Sequence, residues 1–194
     1  MYFFRDFDTP LWHVFSGNLL MVITIGFYIT WWSVSFRPGG SGEKSGPAMG
    51  LLSITFLAGL AAVGLLSFTV LSLSGVGRGF PMLWVITGTV VFYVVLLLIT
   101  KYGFQREVTA ELPLIVFWTA LEGSVIAVLT TSGRFNTPLT LTSAILLGLA
   151  LAVGLVCYVL HYRLEEPARF WNGLIPLIAD GGVAAALSLM LVIS

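Results

Sequence analysis

The sequence predicts an all-α integral membrane protein with six transmembrane helices. Three observations predict it. The 194-residue chain is 58% hydrophobic and only 9% charged, against about 25% charged residues in soluble domains. Six apolar runs each approach or exceed the roughly 20 residues that cross ~30 Å of hydrocarbon. All nine Lys and Arg lie in loops or near span ends, and so do seven of the nine Asp and Glu. A single water-facing globule of this size could not hide so much apolar surface. The whole chain, 1–194, reads as one transmembrane domain.

The first span is about 13–36, opened by Trp12 and closed by Trp31 and Trp32, the aromatic belt of a membrane interface. The N-terminus lacks a basic leader region and a small-residue cleavage pattern, so this run is expected to be retained. Residues 37–47 are rich in Gly, Ser and Pro and read as a flexible loop. The second span is about 48–73. Ala58 and Ala62 lie four residues apart at its centre, a spacing that lets helices approach closely in a membrane. The third span is about 80–100, and a charged connection at 101–111 follows it. The fourth is about 112–131, with Pro113 at its start, where a missing N–H costs nothing. The fifth, about 139–162, repeats the small-residue spacing at Ala144, Gly148 and Ala152. The sixth is about 170–193.

The positive-inside rule gives an orientation. Arg37, Lys44, Lys101, Arg106, Arg163 and Arg169 fall on one side, and Arg5, Arg78 and Arg134 on the other. Six against three puts both termini outside a plasma or inner membrane. The segment 61–66 (AAVGLL) echoes 151–156 (LAVGLV), ninety residues on. That offset lays spans two and three on spans five and six. A 3+3 inverted repeat follows, because an odd number of spans reverses direction.

The two acids outside this pattern are Glu122 and Asp180. An ionised carboxylate inside a span costs roughly 2.5–3.5 kcal/mol on insertion scales, so an intramembrane acid reads first as a functional site. Each lies about 13–15 Å from its span's inner end, at 1.5 Å per residue. The two are therefore expected at similar depth, with no intramembrane base to pair with them. A bound cation, a hydrogen-bond-donating solute or a proton would compensate them. The structural alternative is a protonated carboxyl bonded to a nearby Ser or Thr. Trp118 and Thr119 share Glu122's helix face, and Asn18 in span one is a further polar candidate. Pro176 and the pair Gly181-Gly182 flank Asp180 and predict an interrupted helix there.

Composition excludes other classes. Net charge is zero, which removes the electrostatic case for nucleic acid. One cysteine excludes an intrachain disulfide, and two histidines and one cysteine do not make a zinc site. His13 and His161 fall near opposite faces. No cofactor or metal is indicated, and no catalytic residue is nominated. The chain has no HExxH, and no GxSG within its six spans. Glu165-Glu166 stands two residues from Arg169, where CAAX-type membrane proteases leave three, and their partner histidine motif is missing. The sequence thus predicts a polytopic protein that binds or translocates a small solute or cation between its helices, with proton linkage. A non-catalytic subunit docking on a larger membrane complex is the alternative, and an intramembrane enzyme ranks behind it. The implied partners are the lipid bilayer and a small solute or cation; a second copy or a membrane partner subunit stays open.

Overall fold

A computed structural model describes residues 8–36, 46–74, 82–103, 111–161 and 163–193. The elements are α1 (Thr9–Phe36), α2 (Gly46–Ser74), α3 (Met82–Leu98), a π-helical turn (Ile99–Gly103), α4 (Glu111–Thr131), α5 (Thr137–His161) and α6 (Ala168–Ile193). The expected flexible loop at 37–47 falls almost wholly outside the described residues, as do Arg5, Arg37, Lys44, Arg78 and Arg106. Five helices, all but α3, are long and apolar enough to cross a bilayer, consistent with a membrane location. The α-helical part of α3 has 17 residues, and the π turn extends it.

The helix ends have identifiable causes. Asp8 caps α1, its Oδ1 accepting a hydrogen bond from Leu11 N–H at 3.2 Å. Asn136 caps α5 in the same way, through Leu139 N–H at 3.0 Å. The last turn of α4 closes on Gly133, which takes φ 75°, a left-handed conformation that glycine adopts at little cost. Arg134 and Phe135 N–H then both reach the Leu129 carbonyl, at 2.9 and 3.0 Å.

Helix packing forms a ring. α1 lies between α2 and α6, α6 meets α5, α5 meets α4, and α4 returns to α2. α3 sits outside this ring and packs against α4. The expected repeat would give α3 the place of α6, and the packing carries only part of that symmetry. α1·α2 is matched by α4·α5, and α1·α6 by α4·α3, but among the described residues α2 and α3 make no extensive packing to match α5·α6.

One end of the bundle is the better filled. Its core joins Leu11 and Val14 of α1, Leu66, Val70 and Leu73 of α2, and Val125, Val128 and Leu129 of α4. Leu147 of α5 and Val183, Ala184, Leu187 and Leu191 of α6 belong to it as well, and Trp118, Leu121 and Ala150 carry it to mid-bundle. These residues cluster toward the face where α1 starts and α4 and α6 end, the N-terminal face. At that face Arg134 clasps Asp8 with two nitrogens, Nη1 to Oδ1 at 2.9 Å and Nη2 to Oδ2.

The guanidinium holds the Asp8 carboxyl below its ordinary value of 3.8, the hydrogen bond to Arg134 being the main cause. A depressed carboxylate contributes stability above its unfolded pKa and loses it as pH falls through the folded one. Asp8→Asn keeps the cap but loses the ion pair. Its melting temperature should therefore fall below wild type at neutral pH, and the gap should close below pH 3.8. Both groups are partly exposed, so screening limits the pair to about 1 kcal/mol or less. A gap unchanged between neutral and strongly acidic pH would count against the clasp.

Two expectations from spacing need correction. Ala62 is buried at the α1–α2 crossing, but Ala144, Gly148 and Ala152 are exposed on the outer side of α5. Small-residue spacing marks a helix face without saying which face the chain itself covers. Pro176 does not interrupt α6, which runs unbroken from Ala168 to Ile193. Packing accounts for the intact helix: a Cβ at Gly181 would lie 3.4 Å from Ile25, and one at Gly173 2.7 Å from Trp32. Those glycines let α1 and α6 come close, and packing on both sides of the proline tolerates its missing hydrogen bond.

Candidate functional site

Three helices turn their expected polar residues inward. On α1 the sequence Leu11, Val14, Asn18 follows helical spacing of three and four, and all three are buried. On α4 the inward stripe is Trp118, Leu121, Glu122, Val125, Val128 and Leu129. On α6 Asp180 precedes the core residues Val183, Ala184, Leu187 and Leu191 by three, four, seven and eleven positions, which places it on the same stripe.

Depth can be counted from the N-terminal face, which the Asp8–Arg134 clasp fixes for α1 and α4. Asn18 lies ten residues past Asp8, about 15 Å, and Glu122 nine before Thr131, about 14 Å. Trp118 and Asp180 each lie thirteen residues from the end of their helix, about 20 Å. The four residues thus occupy the middle of the bundle, beside the deeper part of the apolar core, to which Trp118 itself belongs.

Glu122 is 0% exposed, and no described residue donates a hydrogen bond to either of its carboxylate oxygens. Among the described residues, the charged group that acts on it is Asp180, and no base does. Asp180 itself is half-buried. Asn18 is also 0% exposed. Its Nδ2 donates to the Val14 carbonyl at 3.1 Å, while its Oδ1 has no partner among the described residues. The Trp118 indole N–H is buried and likewise unmatched. Such gaps are uncommon, because most buried polar groups in native proteins find a partner.

The nearby hydroxyls are already engaged. Thr119 Oγ1 donates to the Ile115 carbonyl at 2.8 Å, and Ser124 Oγ to the Ala120 carbonyl at 2.6 Å. Both serve their own helix. The structural alternative for Glu122, a bond to a neighbouring Ser or Thr, is not made among the described residues. Thr119 flanks the polar cluster with its proton committed to the backbone.

Buried polar atoms without a hydrogen-bond partner also occur away from this cluster, at His13 Nδ1 and Trp32 Nε1. His13 stacks edge-on against Phe68 at 5.1 Å, near the N-terminal face. His161 meets Trp32 at the other end, so the two histidines cannot share a ligand. Cys157 is buried. Among the described residues, no three His, Cys, Asp or Glu side chains are grouped as a metal site.

Asn172 was not singled out by its sequence position. It follows Trp171 at a span end and reads as interfacial, yet it is buried and its Nδ2 donates to the Cys157 carbonyl at 2.8 Å, tying α6 to α5. Asn172→Leu removes that bond and should cost about 0.5–1.5 kcal/mol. Thermal unfolding checks this, and a variant as stable as wild type would assign the bond no net worth.

Comparison with protein-family models, curated proteins and solved structures finds no match.

Proposed function

We propose that the protein binds or translocates a small solute or cation at Glu122 and Asp180, between its helices, with proton linkage. The observation that carries this reading is Glu122: a carboxyl group fully buried at mid-bundle, with no donor among the described residues and a second carboxylate as its charged neighbour. An ionised, unpartnered carboxylate there would cost several kcal/mol. A positive charge must accompany it, either a proton or a bound cation. A group that exchanges one for the other is what a proton-linked site requires. Trp118, Thr119 and Asn18 are the secondary lining. Six spans, with α3 and its π turn as the third and both termini outside, complete the proposal. A 3+3 origin stays part of it on sequence grounds alone.

Reconstitution tests the reading. Wild-type protein in liposomes loaded with a pH-sensitive dye should move protons when a cation gradient is imposed. The Glu122→Gln, Asp180→Asn double variant should not. Equal flux through both proteins would remove the carboxylates from the function. The same proteoliposomes, with protein labelled at one terminus, report orientation through protease access.

The docking-subunit alternative draws on the exposed stripe Ala144, Gly148 and Ala152, which no described helix of this chain covers. Co-purification of a stoichiometric partner from native membranes, with no flux from the isolated chain, would favour it.

A further inference from the structure

The apolar core that fills one end of the bundle stops near the level of the two acids. With the side chains packed against it, it ends at Val22 on α1, Val63 on α2, Trp118 on α4, Ala150 on α5 and Ala179 on α6. All five positions lie mid-bundle. We propose that this core and the Asp8–Arg134 clasp above it form a gate on the N-terminal face, closed in this structure, and that the two carboxylates are reached from the opposite face by way of Asp180. The proposal rests on the site proposed above and adds its direction of access.

Asp180 sets that direction. It is half-buried, whereas Glu122 is 0% exposed. Exposure changes at Asp180 along its own stripe of α6. Toward the N-terminal face, Val183, Ala184, Leu187 and Leu191 are all buried. Toward the other face, Leu177 and Gly173, three and seven residues before Asp180, are half-buried. A stripe closed on one side of an acid and half-open on the other leaves the acid one approach. The charge of Asp180 acts on Glu122. A proton or cation drawn to Asp180 therefore enters the field of the buried carboxylate.

The clasp is placed to hold the other end shut. The main neighbours of α1 are α2 and α6, and those of α4 are α2, α3 and α5. α1 and α4 are thus not neighbours in the ring, yet Arg134 ties the turn after α4 to Asp8, 126 positions away. Phe135, the next residue of that turn, is buried in the core. Charge pair and apolar plug therefore share one turn, and releasing Arg134 loosens the segment that seats Phe135. Both members of the clasp are partly exposed, and an exposed pair is weak. Weakness suits a gate, because a closed state held by a small free energy can be left and re-entered. Removing such a pair shifts the open population by about two- to fivefold.

Thiol accessibility in proteoliposomes tests the gate and needs no substrate. The single cysteine is first replaced, Cys157→Ala, and one reporter is then introduced: Val14→Cys in the core or Leu177→Cys on the α6 stripe. The probe is a cationic, membrane-impermeant thiol reagent, applied from each face in turn. Leu177→Cys should react from the face opposite the clasp and not from the N-terminal face. Val14→Cys should react slowly from both. Asp8→Asn, which keeps the helix cap, should speed Val14→Cys labelling from the N-terminal face about two- to fivefold and leave Leu177→Cys unchanged. Arg134→Gln should do the same, and the two together no more than either alone, because each removes the same pair.

Three results would overturn the gate. One is Val14→Cys reacting from the N-terminal face, with the clasp intact, as fast as Leu177→Cys does from the other. Another is a Leu177→Cys thiol that the reagent reaches from neither face, which would set its stripe against lipid. The third is a Val14→Cys rate that ignores Asp8→Asn, or that rises together with Leu177→Cys. The first two are read with the clasp intact, so they decide even where a clasp variant fails to fold. The expected labelling without Glu122-dependent proton flux would keep the gate and remove the site. Flux without that labelling would remove the gate alone.

Discussion

Glu122→Gln should abolish the cation response while leaving the fold intact. Glutamine matches glutamate in size and shape, so the core around Leu121 and Val125 keeps its packing. What is lost is the negative charge. Removing one member of a buried charge pair costs about 3–5 kcal/mol, which is a loss of roughly 10²- to 4 × 10³-fold in cation affinity. Thermal stability without ligand should hold or rise, because the amide needs no counter-charge in a dry interior. Asp180→Asn should weaken the response less, since Asp180 is half-buried and open to partial solvation. The two changes should not add. Once Glu122 is neutral, Asp180→Asn has little left to remove, and the departure from additivity measures their coupling. Ligand-dependent melting temperatures of the four proteins in this cycle provide the numbers. Strict additivity would separate the two carboxylates into independent roles.

Fold class was legible because membrane solvent imposes one simple demand. Each span must be apolar over its length and must satisfy its own backbone, so composition alone reports it. The runs at 112–131 and 170–193 match α4 and α6 closely for that reason. Packing was less legible, because lipid and helix neighbours are equally apolar and leave no contrast in hydropathy. The same four-residue spacing of small residues buries Ala62 and exposes Ala144. α3 shows the same limit: its sequence is the apolar equal of its neighbours, yet it lies outside the ring. Glu122 could be singled out because a carboxylate contrasts with everything around it. That its oxygens find no partner among the described residues could not be read from sequence. This depends on Thr119 and Ser124 bonding their own helix, a choice of rotamer. Asn172 shows the opposite failure, its position beside Trp171 masking a buried role.

Gly17→Val should be among the most destabilising single substitutions in the described chain. Gly17 stands where α1 crosses α2. A Cβ there would fall 2.8 Å from both Cγ and Cδ2 of Leu66, and 3.4 Å from the Ala62 carbonyl oxygen. Leu66 is fully buried, and its Cγ is not a free end that can swing aside. Alanine alone therefore forces the helices apart, although it gains about 1 kcal/mol in helix propensity over glycine. Overpacking of this kind costs about 1–3 kcal/mol, and valine adds two methyl groups to it. In lipid the loss has no hydrophobic rebate, because helices there associate through close packing rather than escape from water. Gly64→Ala is the matched control: a Cβ at this position of α2 would meet nothing within 4 Å, so propensity should leave the variant as stable as wild type or more so. Thermal unfolding of both variants in one detergent makes the comparison. The site should feel the crossing too, since Asn18 is the next residue of α1. Displacing α1 from α2 moves Asn18 Oδ1 relative to Glu122, so Gly17→Ala should weaken the cation response beyond its effect on stability. A Gly17→Ala protein that melts lower but keeps the full response would place Asn18 outside the contact, and leave Glu122 to hold the cation without it.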